Sequence, residues 1–269
     1  MTKTVVITGS TSGIGKELVK IFVESGDFKI FAAYRNKDLI ITDSCVEYFY
    51  MDMTNKMSIV DAAEAIKSKT KKIDILINVA GCVVAGPVEC LSTDSLREQF
   101  EVNTFSHIEF TQKLLPLLEN GKIINISSMA SFGNFPFISP YCASKRALDI
   151  FFNALSLENH KNIKVISVKP GVIATPIWKK SVDNNLSNLE GCIEYKKELE
   201  FLKNNALKNS NRGLDVKYVA AFIKNISEKP NPKCSYTIGY DAKFAHIISL
   251  LPQGIINSLV KWGLKLRVK

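Results

Sequence analysis

The stretch that decides the fold is Thr4-Val5-Val6-Ile7-Thr8-Gly9-Ser10-Thr11-Ser12-Gly13-Ile14-Gly15. Its first five residues are apolar or β-branched, which predicts a short buried strand. A glycine-rich loop follows, and residues 16–24 continue with the pattern of a helix. This order predicts a dinucleotide-binding loop, because glycines let a pyrophosphate approach the free N–H groups at a helix N-terminus. A glycine-rich turn that binds no ligand is the alternative.

The rest of the chain alternates between apolar strand segments and helical patterns. Strands are predicted at residues 4–8, 29–34, 47–51, 73–77, 122–127, 164–168 and 235–238. This alternation predicts an α/β fold of the Rossmann type, a doubly wound parallel sheet of about seven strands with helices on both faces. We expect a single domain over residues 1–269, because α/β folds of this length are commonly one domain.

Tyr141 and Lys145 are four positions apart, which on a helix places both side chains on one face. A nearby ammonium favours the phenolate, so we expect Lys145 to lower the pKa of Tyr141 below the usual value of about 10. Such a tyrosine can donate a proton to a developing alkoxide or accept one from an alcohol. Ser128 follows the apolar run 123–126, and a hydroxyl at the carboxyl end of a strand points into the ligand crevice of an open α/β sheet.

With these motifs in this order, the sequence resembles the short-chain dehydrogenase/reductase family in its classical form. The resemblance covers residues 3–240 and includes the glycine spacing G-x-x-x-G-x-G. It implies that Ser128, Tyr141 and Lys145 are catalytic. It also implies a fourth active-site residue, Asn103, which kinks its helix and holds a water. One departure is Asn78-Val79-Ala80-Gly81, where the family usually has a second asparagine in place of the valine.

The resemblance also implies cofactor contacts along the whole crevice, although Asp52 could instead cap the next helix. Arg35 stands where a site selective for NAD usually has a carboxylate. A guanidinium pairs well with a 2′-phosphate, so NADP(H) is the expected cofactor, with a solvated strand-end arginine as the alternative. The predicted cofactor-binding residues are Gly9, Ser10, Thr11, Ser12, Gly13, Ile14, Gly15, Arg35, Asp52, Met53, Asn78, Ala80, Gly81, Tyr141, Lys145, Pro170, Gly171, Ile173 and Thr175.

The chain carries a formal net charge of +9. No basic stripe with interleaved aromatics supports nucleic-acid binding. Attraction to an anionic cofactor or a membrane surface is the better interpretation of this charge. A lysine-rich surface that is only solvated is the alternative. The six cysteines show neither a C-x-x-C pair nor a zinc spacing, so we expect no metal site. We expect reduced thiols in a cytoplasmic protein, since no signal peptide pattern opens the sequence and no apolar run reaches the length of a membrane span.

Two segments outside the motifs bear on partners. Residues 177–213 correspond, by resemblance, to the substrate-binding loop of the family. The tail, residues 244–269, carries Ile255, Leu259 and Trp262 at helical spacing and ends in basic residues. It could pack on its own domain, cover the substrate mouth, contact a partner subunit or lie at a membrane interface. By resemblance, the helix that begins at Tyr141 pairs subunits, so a homodimer or homotetramer is expected.

The sequence therefore predicts an NADPH-dependent carbonyl reductase or hydroxyl dehydrogenase acting on a small carbonyl or alcohol compound. Two alternatives stay open. An extended-type nucleotide-sugar enzyme shares Tyr-x-x-x-Lys but usually has a longer chain and another glycine spacing. A non-enzymatic NADP-sensing regulator would need no proton-transfer residues. An apolar substrate is expected, because five residues are predicted to converge on the substrate side of the crevice: Phe132, Phe135, Phe137, Ile177 and Trp178.

Overall fold

A computed structural model describes residues 2–158, 160–185 and 192–267. In this part of the chain, seven strands form one parallel sheet in the order β3-β2-β1-β4-β5-β6-β7. The predicted Rossmann-type sheet is therefore confirmed. The strands are β1 Lys3–Ile7, β2 Phe28–Tyr34, β3 Val46–Tyr50, β4 Ile75–Asn78, β5 Lys122–Ile126, β6 Lys164–Pro170 and β7 Ser235–Ile238.

Helices connect successive strands and flank the sheet. They are α1 Gly13–Ser25, α2 Lys56–Lys69, α3 Thr93–Phe100, α4 Ser106–Leu114, α5 Ser139–Glu158, α6 Ile177–Asn185, α7 Lys196–Arg212, α8 Val216–Glu228, α9 Tyr240–Ile248 and α10 Gln253–Arg267. A π-helical segment, Glu101–Phe105, joins α3 to α4, and a 3₁₀ helix, Met129–Phe132, follows β5. Part of the predicted substrate loop, residues 186–191, lies outside the described residues.

The two faces of the sheet bury two apolar clusters. On one face, α1 and α8 pack against the strands, with Phe22 and Ile223 fully buried. On the other face, α2, α4 and α5 cover the sheet, with Phe110 and Phe152 buried among strand residues. Central strands that are apolar on both faces are typical of parallel sheets covered on each side, so the burial explains why the strand segments read as continuous apolar runs.

The strand order fixes where a ligand can bind. The chain runs outward from β1 through β2 to β3, then crosses back to place β4 on the other side of β1. In open parallel sheets, ligands bind at such a switch point, outside the carboxyl ends of the strands. Here a buried hydroxyl ties the two sides together, since Thr8 Oγ1 accepts hydrogen bonds from the N–H groups of Val79 and Ala80 at 2.8 and 3.1 Å.

One prediction about the cysteines is wrong. Cys90 and Cys192 form a disulfide, with their Cα atoms 6.4 Å apart, and the other four cysteines are free thiols. The pair is 102 residues apart in sequence, so no local spacing could reveal it. The bridge joins the 3₁₀ helix Val88–Cys90, which precedes α3, to Cys192 in the predicted substrate loop, just before α7.

The C-terminal residues form two helices rather than one. Helix α9 ends at Ile248, and α10 starts after Pro252, in keeping with the helix-breaking role of proline. Within residues 2–158, 160–185 and 192–267, no helix combines the length and the apolar character that crossing a bilayer requires.

Candidate active site

The glycine loop between β1 and α1 takes a backbone path that side chains would obstruct. Gly9 has a φ of +62°, and an added Cβ would lie 2.9 Å from the backbone of Ala80. A Cβ on Gly15 would lie 2.1 Å from the carbonyl oxygen of Gly9. Helix α1 begins at Gly13, so its first N–H groups face the loop where a phosphate can be held. The loop therefore fits the pyrophosphate of a dinucleotide.

A crevice of about 550 Å³ opens beside this loop. It runs past the ends of β2 and β4 to the first residues of α6. Ten of the predicted cofactor-binding residues line it: Gly9, Thr11, Ser12, Gly13, Ile14, Arg35, Met53, Ala80, Gly81 and Thr175. The guanidinium of Arg35 belongs to an exposed side chain directly after the end of β2, beside the crevice.

Two other predicted cofactor-binding residues, Ser10 and Asp52, form hydrogen bonds within the protein. Ser10 donates from its hydroxyl to the carbonyl oxygen of Ala33 at 2.5 Å, which fastens the loop to β2. Asp52 accepts hydrogen bonds from the backbone N–H and the hydroxyl of Thr54, and the cap of α2 is Asn55 instead.

Three further predicted cofactor-binding residues, Pro170, Gly171 and Ile173, lie at the end of β6 or just after it and contact neighbouring parts of the fold. Pro170 ends that strand, and the N–H of Gly171 donates to Ile238 of β7 at 2.8 Å. Ile173 is buried in the apolar cluster beneath α1 and α8. A Cβ on Gly171 would lie 2.0 Å from a carboxylate oxygen of Asp241, so that glycine makes room for the start of α9.

Asn78 supports the sheet from within. Its side-chain amide donates to Asn125 Oδ1 at 2.8 Å and to Thr111 Oγ1 at 3.3 Å. Since Asn78 ends β4 and Asn125 lies opposite it on β5, the bond crosses the centre of the sheet. Val79, the departure from the family pattern, packs against the apolar cluster on one sheet face.

Ser128 and Tyr141 come together at the carboxyl end of β5. Ser128 follows the strand and caps the 3₁₀ helix that begins at Met129, accepting a hydrogen bond from the N–H of Ala130 at 3.1 Å. Tyr141 lies in the first turn of α5 and is buried. The Ser128 hydroxyl lies close enough to Tyr141 to hydrogen-bond with its phenol, which favours the phenolate and lowers the pKa of Tyr141.

The pKa of Tyr141 moves opposite to the predicted direction. Burial raises the pKa of the Tyr141 phenol to about 12, and the hydrogen bond with Ser128 only partly offsets this. Burial also lowers the pKa of the Lys145 ammonium to about 8. Lys145 is one helical turn from Tyr141, but its Nζ donates to the carbonyl oxygen of Ile126 at 2.8 Å. Desolvation of the two buried groups therefore outweighs the attraction that the sequence argument relied on.

Asn103 lies in the π-helical segment between α3 and α4. Its amide donates to Cys82 O at 3.0 Å and Ser144 Oγ at 3.1 Å, and its carbonyl oxygen accepts from the Cys82 N–H at 2.9 Å. A Cβ on Gly81 would lie 3.2 Å from Asn103 Oδ1 and 3.6 Å from Lys145 Nζ. The two side chains therefore meet at Gly81, on the wall of the crevice. The π-helical turn is the local distortion that the family resemblance implies for this asparagine.

Comparison with known proteins decides the family. A family model described as short chain dehydrogenase matches residues 3–186. The chain belongs to the short-chain dehydrogenase family. It is 32% identical to a Helicobacter pylori protein named "Probable short-chain type dehydrogenase/reductase VdlC", with 95% of this chain and 96% of that protein aligned. Members of this family bind a nicotinamide cofactor and act on small molecules, so the chain is an oxidoreductase.

Two other relatives carry more specific names. A 3-ketodihydrosphingosine reductase of Bacteroides thetaiotaomicron is 31% identical, with 94% of each chain aligned. An NADPH-dependent 3-dehydrocapnine reductase of Ornithobacterium rhinotracheale is 34% identical, with 65% of this chain and 67% of that protein aligned. Among solved structures, a short chain dehydrogenase of Burkholderia cenocepacia in complex with NADP superposes with a TM-score of 0.77 at 22% identity, covering 96% of this chain and 97% of that one. This likeness shows the fold.

Sequence reasoning missed two residues that hold this dehydrogenase site together. Gln99 is fully buried; its side chain accepts from the N–H of Val84 at 2.6 Å and donates to the carbonyl oxygen of Cys82 at 3.0 Å. Ser144, also buried, accepts from Asn103 and donates to the carbonyl oxygen of Tyr141 at 2.9 Å. The signal was available for Gln99, because it lies four positions before Asn103 and so shares its helical face.

His107 is a third buried residue that the sequence did not single out. Its Nε2 lies 2.8 Å from the carbonyl oxygen of Ala80, and its Nδ1 has no hydrogen-bond partner among the described residues. Burial, with a smaller contribution from the Lys145 charge, lowers the pKa of the imidazole to about 3. The neutral tautomer with its proton on Nε2 therefore donates to Ala80 and braces the crevice wall.

This burial predicts acid sensitivity. An unfolded histidine has a pKa of about 6.5, so between that value and pH 3 the unfolded chain binds a proton that the folded chain excludes. The stabilising contribution is complete above about pH 6.5 and is lost as the pH falls, by at most about 1.4 kcal/mol per pH unit. We expect His107→Gln to unfold with a shallower pH dependence than the wild type in denaturant titrations across this window. If the free energy of unfolding changed equally with pH in the two proteins, His107 would not be neutral and buried. His160→Gln is the matched control, because His160 is exposed.

An apolar cluster lies around Tyr141. Phe135, Ile177 and Trp178 pack against a cluster that contains Tyr141, and the Trp178 ring meets the Tyr141 ring edge-on at a centroid distance of 6.3 Å. The predicted convergence is wrong for Phe132, which stacks on His246 of α9 at 4.6 Å. Phe137 faces Tyr195, outside the cluster. The backbone at Phe137 is left-handed, with a φ of +67°.

Proposed function

We propose that this chain is an NADPH-dependent carbonyl reductase or hydroxyl dehydrogenase with an apolar substrate. The observation that carries the proposal is the meeting of Ser128 and Tyr141 hydroxyls beside an apolar cluster, at the edge of the sheet where the glycine loop ends. The bound nicotinamide would supply or accept the hydride, and the protein would position both reactants.

Each polar residue has a distinct role in this proposal. Tyr141 donates the proton to the substrate oxygen during reduction, and its raised pKa keeps it protonated across the physiological range. Ser128 holds the same oxygen by a hydrogen bond. Lys145, held by the carbonyl oxygen of Ile126, would supply a positive charge that can hold the nicotinamide ribose, while Asn103 keeps the loop after β4 in place through Cys82.

The residues of the crevice would hold the cofactor along its length. The loop from Gly9 to Gly15 would receive the pyrophosphate, and Thr175 approaches this loop, with a methyl carbon 3.3 Å from where a Cβ of Gly13 would lie. Arg35 would pair with the 2′-phosphate. The name of the 3-dehydrocapnine reductase, which states NADPH dependence, supports the same choice.

Arg35 gives a prediction on cofactor choice. Arg35→Asp should weaken NADPH binding by about 1.5–3 kcal/mol, because a hydrogen bond to a charged group is lost. NADH affinity should change little. Fluorescence titration of both cofactors measures this, with Lys37→Asp on the neighbouring 3₁₀ helix as the control for net charge. A wild-type protein that binds NADH and NADPH equally would contradict the choice of NADP.

An apolar substrate is supported by the side chains around Tyr141. Phe135, Ile138, Ile177 and Trp178 surround the tyrosine, and each methylene that a ligand buries there contributes about 0.8 kcal/mol. The 3-ketodihydrosphingosine reductase acts, by its name, on a keto compound. A panel of ketones and alcohols of increasing chain length, assayed with NADPH and NADH, tests the function. Binding of NADPH without turnover of any compound would favour the regulator.

We further propose that two or four copies assemble. Three large apolar side chains of α5 are exposed, Ile150, Phe151 and Leu157, together with Phe105 between α3 and α4. Burying them against a second copy would remove apolar surface from water. Sedimentation velocity on the wild type and on Phe151→Glu would test this assembly.

A further inference from the structure

The two C-terminal helices expose an apolar face that the rest of the molecule does not explain. Along α9 the exposed residues recur at intervals of three and four, and the same spacing continues along α10. Phe244 and Trp262 are each about two-thirds exposed. From Phe244 onward, the exposed large apolar residues are Phe244, Ile247, Leu250, Leu251, Ile255, Leu259 and Trp262, and we call this set the tail face.

The opposite sides of both helices are packed on the domain. Ala242 is fully buried, Ile256 is nearly so, and His246 stacks on Phe132. Asp241 accepts a hydrogen bond from the N–H of Val172 at 2.8 Å, which fastens the start of α9 to the loop after β6. Both helices therefore contact the domain through one side, and the tail face lies on the side that is exposed to solvent.

The charged residues of this segment that follow Asp241 are all basic. After Asp241 the sequence contains no acidic residue and five basic ones, Lys243, Lys261, Lys265, Arg267 and Lys269. These five supply more than half of the formal net charge of +9. A second copy docked through the same face would bring the exposed Lys243 and Lys261 against like charges, whereas an anionic surface would neutralise them.

We propose that the tail face docks the protein on the surface of an anionic lipid bilayer. Helices with apolar residues on one side and lysines beside them lie in the plane of the headgroup region, with tryptophan at the boundary between lipid and water. Trp262, one turn from Leu259 and next to Lys261, has this arrangement. Polybasic segments add electrostatic attraction to anionic lipids.

Docking would also orient the enzyme. Helix α9 contacts the 3₁₀ helix that follows Ser128, and it is tied to the loop that follows Pro170. Both attachments are at the carboxyl edge of the sheet, where the crevice opens. The bilayer would therefore lie on the crevice side of the molecule. This proposal concerns binding alone and holds whatever compound the active site takes.

The test is cosedimentation with vesicles of phosphatidylcholine, with and without phosphatidylglycerol. We expect the wild type to bind the anionic vesicles and to be released by high salt. Phe244→Ser with Trp262→Ser, and separately Lys243→Glu with Lys261→Glu, should each reduce the partition coefficient at least about tenfold. The matched controls are Met57→Ser with Tyr218→Ser, of similar exposure on α2 and α8, and Lys56→Glu with Lys71→Glu. These should bind nearly as well as the wild type.

Results of two kinds would overturn the proposal, those from vesicle binding and those from sedimentation of the free protein. One is equal binding of tail and control variants, or no binding of the wild type to anionic vesicles. The other is a tail variant that changes the sedimentation coefficient of the free protein while leaving vesicle binding intact, which would assign the tail face to a second copy. NADPH binding measured without vesicles should be the same in all variants, so a failure of the proposed function stays distinguishable from a failure of docking.

Discussion

Replacing Tyr141 with phenylalanine should lower kcat by about 10²–10⁴-fold, the range that a positioned general acid contributes. The phenyl ring keeps the edge-on contact with Trp178 and the packing of the cluster, so only the hydroxyl is removed. NADPH binding should persist, since the crevice beside the glycine loop is untouched. Losing the hydrogen bond with Ser128 should cost the fold only about 1 kcal/mol.

The measurement is steady-state turnover of a ketone with NADPH, beside NADPH titration of the same sample. Tyr218→Phe is the matched control, because Tyr218 is exposed on α8 and its hydroxyl has no part in the site. If Tyr141→Phe kept a kcat close to that of the control, the proton would have another source. A Ser128→Ala variant should then be measured, since Ser128 is the other hydroxyl at this position.

The strands were predictable because each is an apolar run in a sheet covered on both faces. β7 was found with its observed bounds, whereas α1 begins three residues earlier than predicted, at Gly13, so the end of the glycine loop belongs to the helix. The helical segment between β4 and β5 is divided by the π-helical turn at Asn103 into α3 and α4. That turn depends on buried contacts with Cys82 and Ser144, which no periodicity reveals.

Within the site, the sequence predicted which residues share a helix face, but it did not predict how deeply each residue is buried or which distant segments it contacts. The spacing of Tyr141 and Lys145 correctly placed both on one face of α5, because a helix fixes that geometry. The direction of the Tyr141 pKa was wrong, since it depends on how deeply both groups are buried. The disulfide of Cys90 with Cys192 and the stacking of Phe132 on α9 likewise depend on contacts between distant segments.

The glycine loop offers the sharpest test of the cofactor site. Gly15→Ala should raise the NADPH dissociation constant at least tenfold, equivalent to about 1.4 kcal/mol. It should also lower the free energy of unfolding by about 1–3 kcal/mol, the usual cost of overpacking. The added Cβ would lie 2.1 Å from Gly9 O and 2.7 Å from Gly9 C, so the loop backbone must move. Thr11, Ser12 and Gly13 line the crevice on that same loop and would move with it.

Gly263→Ala is the control that separates this clash from helix propensity. Both glycines lie in helices, where alanine is favoured over glycine by about 1 kcal/mol. A Cβ on Gly263 meets no described atom within 4 Å, so that variant should be slightly more stable and bind NADPH as the wild type does. Denaturant unfolding and cofactor titration of the two variants give the comparison. Unchanged NADPH affinity in Gly15→Ala would mean that the close approach of loop and helix has no part in holding the pyrophosphate.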